Sequence, residues 1–126
     1  MAWTFVPDKP VFIQISERIR KSIVSGEYPS GSQIPTVRQI ALDATVNPNT
    51  VVRALAVLEA EGLVFSKSTL GKYVTEDNSL IDSCREKMAL KLTDDYISGM
   101  KAIGVSEEEA RELLGKRILS DNSDQN

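Results

Sequence analysis

Apolar residues fall into short runs of differing spacing along the chain, and each run predicts an element. Val11, Ile15, Ile19 and Ile23 stand four apart, the spacing of one helix face. A first helix is therefore predicted after Asp8-Lys9-Pro10, with Asp8 as its cap, Pro10 in its first turn and Gly26 as its stop. Before it, Trp3 to Val6 reads as a short extended arm ended by Pro7. After it, residues 27–35 read as a loop, with two prolines and a glycine. Thr36 and Gln39 have the spacing of a capping box and open a short second helix, Val37 to about Ala44, with Val37, Ile40 and Ala41 inward. A tight turn at Thr45-Val46 follows. Asn47 as cap and Pro48 as first helical residue then start a third helix, which buries Val51, Ala54, Leu55 and Leu58 and stops at Gly62.

From Leu63 to Thr75 the helical spacing gives way to alternation around a turn at Ser68–Gly71, the pattern of a β-hairpin. Helix, helix, tight turn, helix, hairpin is the order of a winged helix-turn-helix. Past a polar joint at 76–79 the helical spacing returns in Ile81, Cys84, Met88, Leu92, Tyr96, Met100 and Ile103, until Gly104 breaks it. Ser106 and Glu109 form a second capping box, opening a closing helix with Ala110, Leu113, Leu114 and Ile118. The expected fold is mainly α with a small β-hairpin: a winged helix-turn-helix domain over 1–76, a two-helix C-terminal dimerisation segment over 77–120 and a frayed polar tail over 121–126. A long helix with an apolar stripe must bury it. Folding back onto the chain's own domain is one solution; a two-fold dimer through both C-terminal helices is preferred, with Ile81, Cys84, Met88, Leu92, Tyr96, Met100, Leu113 and Leu114 in the interface.

Composition removes several classes of function. No apolar run approaches the roughly 20 residues of a membrane span, and the N-terminus lacks the basic flank and apolar core of a signal peptide. Cys84 is the only cysteine, so no internal disulfide forms, and on the apolar stripe it reads as a small hydrophobe. The absence of histidine excludes His-based triads, HExxH zinc sites and Cys/His zinc fingers. Asp94-Asp95 and Glu107-Glu108-Glu109 are neighbours whose side chains point apart on a helix, so no catalytic or metal-binding set is expected. These readings give a cytoplasmic protein, not an enzyme, with no cofactor and no membrane partner. The net charge of −3 hides a split: residues 1–75 carry eight Lys/Arg against six Asp/Glu, residues 76–126 seven against twelve.

The chemistry lies at the start of the third helix. A helix that reads DNA presents short polar groups and an Arg from its first turns, which meet the base edges. Asn47, Pro48, Asn49 and Thr50 crowd that start, and Arg53 lies a turn on. Capping alone accounts for Asn47 and Pro48 but not for the rest.

These residues carry a resemblance. Pro10-Val-Phe-Ile-Gln-Ile, Gly26, Pro35-Thr-Val-Arg-Gln-Ile-Ala, Val46-Asn-Pro-Asn-Thr-Val, Leu58-Glu-Ala-Glu-Gly-Leu and Gly71-Lys-Tyr-Val resemble, in order and spacing, the DNA-binding domain of the GntR family of bacterial transcription regulators. The Val-Asn-Pro-Asn-Thr form and the roughly 50 residues after the wing resemble its YtrA subfamily, in which two C-terminal helices make the dimer and no large effector domain is present. Members of the MocR type continue into an aminotransferase-like domain, for which this chain has no length. The resemblance implies a double-stranded DNA operator as partner, bound by a homodimeric repressor. It implies DNA contacts from Arg38, a phosphate contact near Thr36, and base reading from Asn47, Pro48, Asn49 and Thr50. Arg53 joins them by position, and the wing tip, with Lys67, Ser68, Gly71 and Lys72, would approach the minor groove or its phosphates. A small-molecule effector would have to use the dimer interface or the joint near 75–80.

Three departures stand out. Ala44-Thr45 replaces the family's Leu-Gly, a change that strains the chain only if φ there is positive. The wing reads Lys67-Ser-Thr-Leu-Gly71 where the family has basic-basic-Gly-x-Gly. Val52 stands at a commonly polar position, where it would touch a thymine methyl or simply pack. The alternative function is a winged helix that binds a protein partner, with Asn49 and Arg53 as ordinary surface.

Overall fold

The computed structural model describes residues 3–124. Its elements run α1 (Val11–Val24), α2 (Val37–Ala44), α3 (Pro48–Ala60), β1 (Val64–Ser66), a single 3₁₀ turn (Ser68–Leu70), β2 (Lys72–Val74), α4 (Asn78–Ala102) and α5 (Glu107–Asp124). The chain forms two compact units, one up to Arg85 and one from Glu86.

In the first unit the four-residue spacing of α1 does what it predicts: Ile15, Ile19 and Ile23 are buried and pack against α3. Ile40, Ala41 and Ala44 of α2, and Val51, Ala54, Leu55 and Leu58 of α3, complete the helical core. Val37 is only half-buried. Leu63, Val64 and Val74 bring the hairpin onto that core. The strands are antiparallel and only three residues long, pairing Val64 with Val74, Phe65 with Tyr73 and Ser66 with Lys72. Residues 31–34, read as plain loop, run along the free side of β2: Ile34 N–H donates to Lys72 O (3.0 Å) and Val74 N–H to Ser32 O (2.8 Å), with a bridge between Gln33 and Tyr73.

Two expectations need correction. Asp8 does not cap α1: Pro10 holds the N-cap position, extended at ψ 140°, and makes no side-chain cap bond. Gln14 does the holding from inside the helix, donating to Lys9 O and Val6 O (both 2.8 Å) and accepting from Val6 N–H (2.9 Å). Residues 3–6 form neither helix nor strand, and the Arg18 guanidinium lies over the Trp3 ring at 4.1 Å with Phe5 beside it. The polar end does not begin at 121. α5 continues to Asp124, helped by the Arg117–Asp121 pair one turn apart, while Gln125 and Asn126 lie outside the described residues.

α4 starts in the first unit. Asp77 caps it, its carboxylate accepting from Leu80 N–H (3.2 Å) and the Ser79 hydroxyl (2.6 Å). Ile81 is 6% exposed and Arg85 Nε–H donates to Val24 O (2.8 Å), so these turns belong to the same core as α1. In the second unit the chain turns at Gly104 (φ 88°), and Ser106 caps α5 by accepting from Glu109 N–H (3.1 Å). The Tyr96 hydroxyl donates to Ala110 O (3.1 Å), and Ala110 is buried. Leu90, Leu92, Ile103, Leu113, Leu114, Ile118 and Leu119 are exposed.

Candidate nucleic-acid interface

The turn between α2 and α3 sets the direction of the third helix. Thr45 ends α2 in the left-handed region (φ 57°, ψ 52°), and Val46 N–H returns to Ala41 O (3.0 Å) in the closure that usually recruits glycine. Among the described residues Thr45 is the only non-glycine with positive φ, so the strain expected of Ala44-Thr45 is present. Asn47 then starts α3 with its carboxamide oxygen accepting from Asn49 N–H (2.8 Å), and Pro48 fills the first position, where no N–H is needed. Asn47 is thus occupied as a cap. Asn49, Val52 and Arg53 point outward, whereas Thr50 is half-buried.

Arg53 does not project freely. Its guanidinium carbon lies 4.1 Å above the ring of Phe12, in the first turn of α1. Sequence spacing gives Phe12 no role; the packing of α1 on α3 brings it beneath Arg53. Arg38 is exposed at the second position of α2. Thr36 caps that helix in the predicted reciprocal box: its hydroxyl oxygen accepts from Gln39 N–H (3.2 Å), and Gln39 Oε1 accepts from Thr36 N–H (2.8 Å). The hydroxyl proton remains available to an acceptor such as phosphate.

The wing is rearranged around its lost glycine. The tip is a 3₁₀ turn closed by Lys67 N–H to Gly71 O (3.0 Å), and it leaves Leu70 58% exposed. Gly71 is favoured by its backbone conformation, and a side chain there would also push the Gln33 amide aside. Its φ is 105°, and a Cβ there would lie 2.8 Å from Gln33 Nε2. That Gln33 amide supports the tip by donating to Leu70 O (2.6 Å). Of the wing cations, Lys67 lies 5.5 Å from the centre of the Tyr73 ring, itself stacked on Phe65. Lys72 is bound inward, to the Glu59 carboxylate at the end of α3 and the Ser66 hydroxyl. Lys72, expected at the DNA, is thereby a strut between α3 and the hairpin, because Glu59 supplies a fixed anion at the base of the wing. Sequence spacing gave no sign of that pair, which joins residues 13 apart. The side chain of Ser68 lies outside the described residues.

Among the described residues no group of three or more His, Cys, Asp or Glu could hold a metal ion, and no helix is long and apolar enough to cross a membrane. The profile of "Bacterial regulatory proteins, gntR family" matches residues 13–74. A GntR family transcriptional regulator from Listeria monocytogenes, 35% identical, superposes with a TM-score of 0.81 over 89% of this chain and 98% of its own. The chain belongs to the GntR family. The HTH-type regulator YhcF of Bacillus subtilis is 30% identical over 86% of this chain and 89% of its own length. The HTH-type transcriptional repressor YtrA of the same organism is 26% identical over 73% and 75%. As a GntR-family helix-turn-helix protein, the chain is a transcriptional regulator and not an enzyme.

Proposed function

We propose that this GntR-family regulator is a cytoplasmic, sequence-specific DNA-binding repressor of the YtrA type, acting as a homodimer on a two-fold operator. The observation that carries the reading is the outer face of α3. Asn49 and Arg53, one turn apart, are exposed there, and among the described residues no carboxylate pairs with Arg53. An amide and a guanidinium in the first two turns are what base edges in a major groove require. Arg38 and the Thr36 hydroxyl, at the start of α2, suit phosphates beside that groove.

The second copy is argued from the second unit. Leu92, Tyr96, Leu113 and Leu114, named from sequence as interface residues, are 70%, 39%, 49% and 49% exposed within one chain. Met88, Met100 and Cys84 are half-buried, and Ile81 already serves the core of the first unit. An apolar face of this extent on a pair of helices suits a second copy of the same face. Two recognition helices so joined would enter successive major grooves, with half-sites about 10 base pairs or a multiple apart.

The test is fluorescence anisotropy on the DNA upstream of the protein's own gene, with scrambled DNA as competitor, across a salt series. Tight, selective, salt-sensitive binding by two chains per site is expected. Arg53→Ala should cost about 1–3 kcal/mol and relax preference at one base position. Equal, weak binding of both DNAs would sink the reading and favour a winged helix that docks on a protein.

A further inference from the structure

We infer that Phe12 is a positioning residue for DNA recognition: the ring at the start of α1 is the platform that aims the Arg53 guanidinium of α3. The inference rests on Arg53 reading DNA, as proposed above, and adds a residue from a helix with no assigned part in that reading.

The geometry carries it. Arg53 Cζ stands 4.1 Å above the Phe12 ring, close enough for the ring's electron-rich face to attract the cation. A guanidinium covered on its face keeps its N–H donors free at its edge, because all five lie in its plane. Contact with the ring therefore restrains the guanidinium without using the hydrogen bonds that DNA would receive. Arg18 of this unit likewise lies over a ring, that of Trp3, but Arg20 and Arg85 differ. Arg20 spends its donors on Glu61, and Arg85 donates to Val24 O and Asp82. Arg53 makes no hydrogen bond or ion pair among the described residues, and its partner is the Phe12 ring. An unsupported arginine samples many rotamers and loses that freedom on binding; a ring that holds it beforehand removes part of the cost. Phe12 can do this because it is half-buried on the helix that packs most extensively on α3, so its own position is fixed by the core.

The experiment is a double-mutant cycle in operator binding, using Phe12→Leu, Phe12→Tyr, Arg53→Ala and the Leu/Ala pair in the full chain. Phe12→Leu keeps apolar volume but removes the ring, and should weaken binding about 2- to 10-fold, the range of a cation–ring contact. In the Arg53→Ala background it should cost nothing more. Phe12→Tyr, which keeps the ring, should restore affinity. A Phe12→Leu loss of equal size with and without Arg53 would overturn the inference, since it would show that Phe12 acts through the fold. Wild-type and Arg53→Ala binding report separately on whether Arg53 reads DNA at all. A DNA-free measurement completes the test. The Arg53 side-chain NMR signals should be shifted upfield by the ring in the wild type and return to ordinary positions in Phe12→Leu; unshifted wild-type signals would refute the contact.

Discussion

Thr45 is the residue on which the helix-turn-helix geometry leans hardest. It is β-branched and left-handed at φ 57°, a conformation that costs an L residue about 1–2 kcal/mol. Glycine would remove that cost but enter the fold from a freer unfolded chain, at about 0.5–1 kcal/mol. Thr45→Gly should therefore stabilise the protein by about 0.5–1 kcal/mol, read as a higher urea midpoint at unchanged slope. A lower midpoint would mean that Thr45 makes compensating contacts. The two wing lysines should separate in the same way. Lys67→Met, removing a cation that faces outward, should lower the salt dependence of DNA binding by about one phosphate. Lys72→Met should leave that slope unchanged and lower stability by up to about 1 kcal/mol, because Glu59 already neutralises the ammonium.

At the scale of elements, the start of α4 carries a pH dependence. The Asp77 carboxylate is held below its usual range by the Ser79 hydroxyl first, then by Leu80 N–H and Ser79 N–H. A lowered folded-state pKa means the cap stabilises the helix above the ordinary value near pH 4 and is lost as pH falls through the lowered one. The protection factor of the Leu80 amide, its exchange rate taken against the intrinsic rate at each pH, should fall in acid in the wild type, and should already be low at neutral pH in Asp77→Ala. Equal protection in the two proteins would remove Asp77 from the cap. Such caps are local, and locality decided what the sequence could reveal. Thr36 with Gln39, Asn47 with Pro48, and Ser106 with Glu109 stood within four residues of their partners, so α2, α3 and α5 were legible at their first turns. Gln14, which secures the entry to α1, binds eight residues back, beyond the reach of any capping signature, whereas Asp8 stands just before the helix. The same limit hid the site's supports. Arg53 was legible as an exposed arginine on a recognition helix, but not the ring of Phe12 that holds it, nor Glu59 on Lys72, nor residues 31–34 along β2. Those contacts exist only once α1, α3 and the hairpin have packed.

For the whole molecule, the two compact units predict separable properties. The first includes Ile81 and Arg85, so a chain ending at Arg85 keeps its core, whereas a cut at the polar joint would remove both. Residues 1–85 should unfold cooperatively, sediment as a monomer, and bind operator DNA far more weakly than the full chain. A dimer of 1–85 would place the interface outside α4 and α5. With eight basic against six acidic residues over 1–75, few phosphates can be neutralised by one copy, which makes pairing of half-sites the main source of affinity. In the proposed dimer, pairing would also raise a hazard, for it would bring two copies of a small sheet to one operator, and open strands recruit one another. Here β2 is flanked by β1 on one side and residues 31–34 on the other, leaving the three-residue outer margin of β1 as the hairpin's exposed edge. A sheet so short and so nearly closed is a poor template for strand addition. The proposed dimer would gather copies through their helices without the wings seeding aggregation.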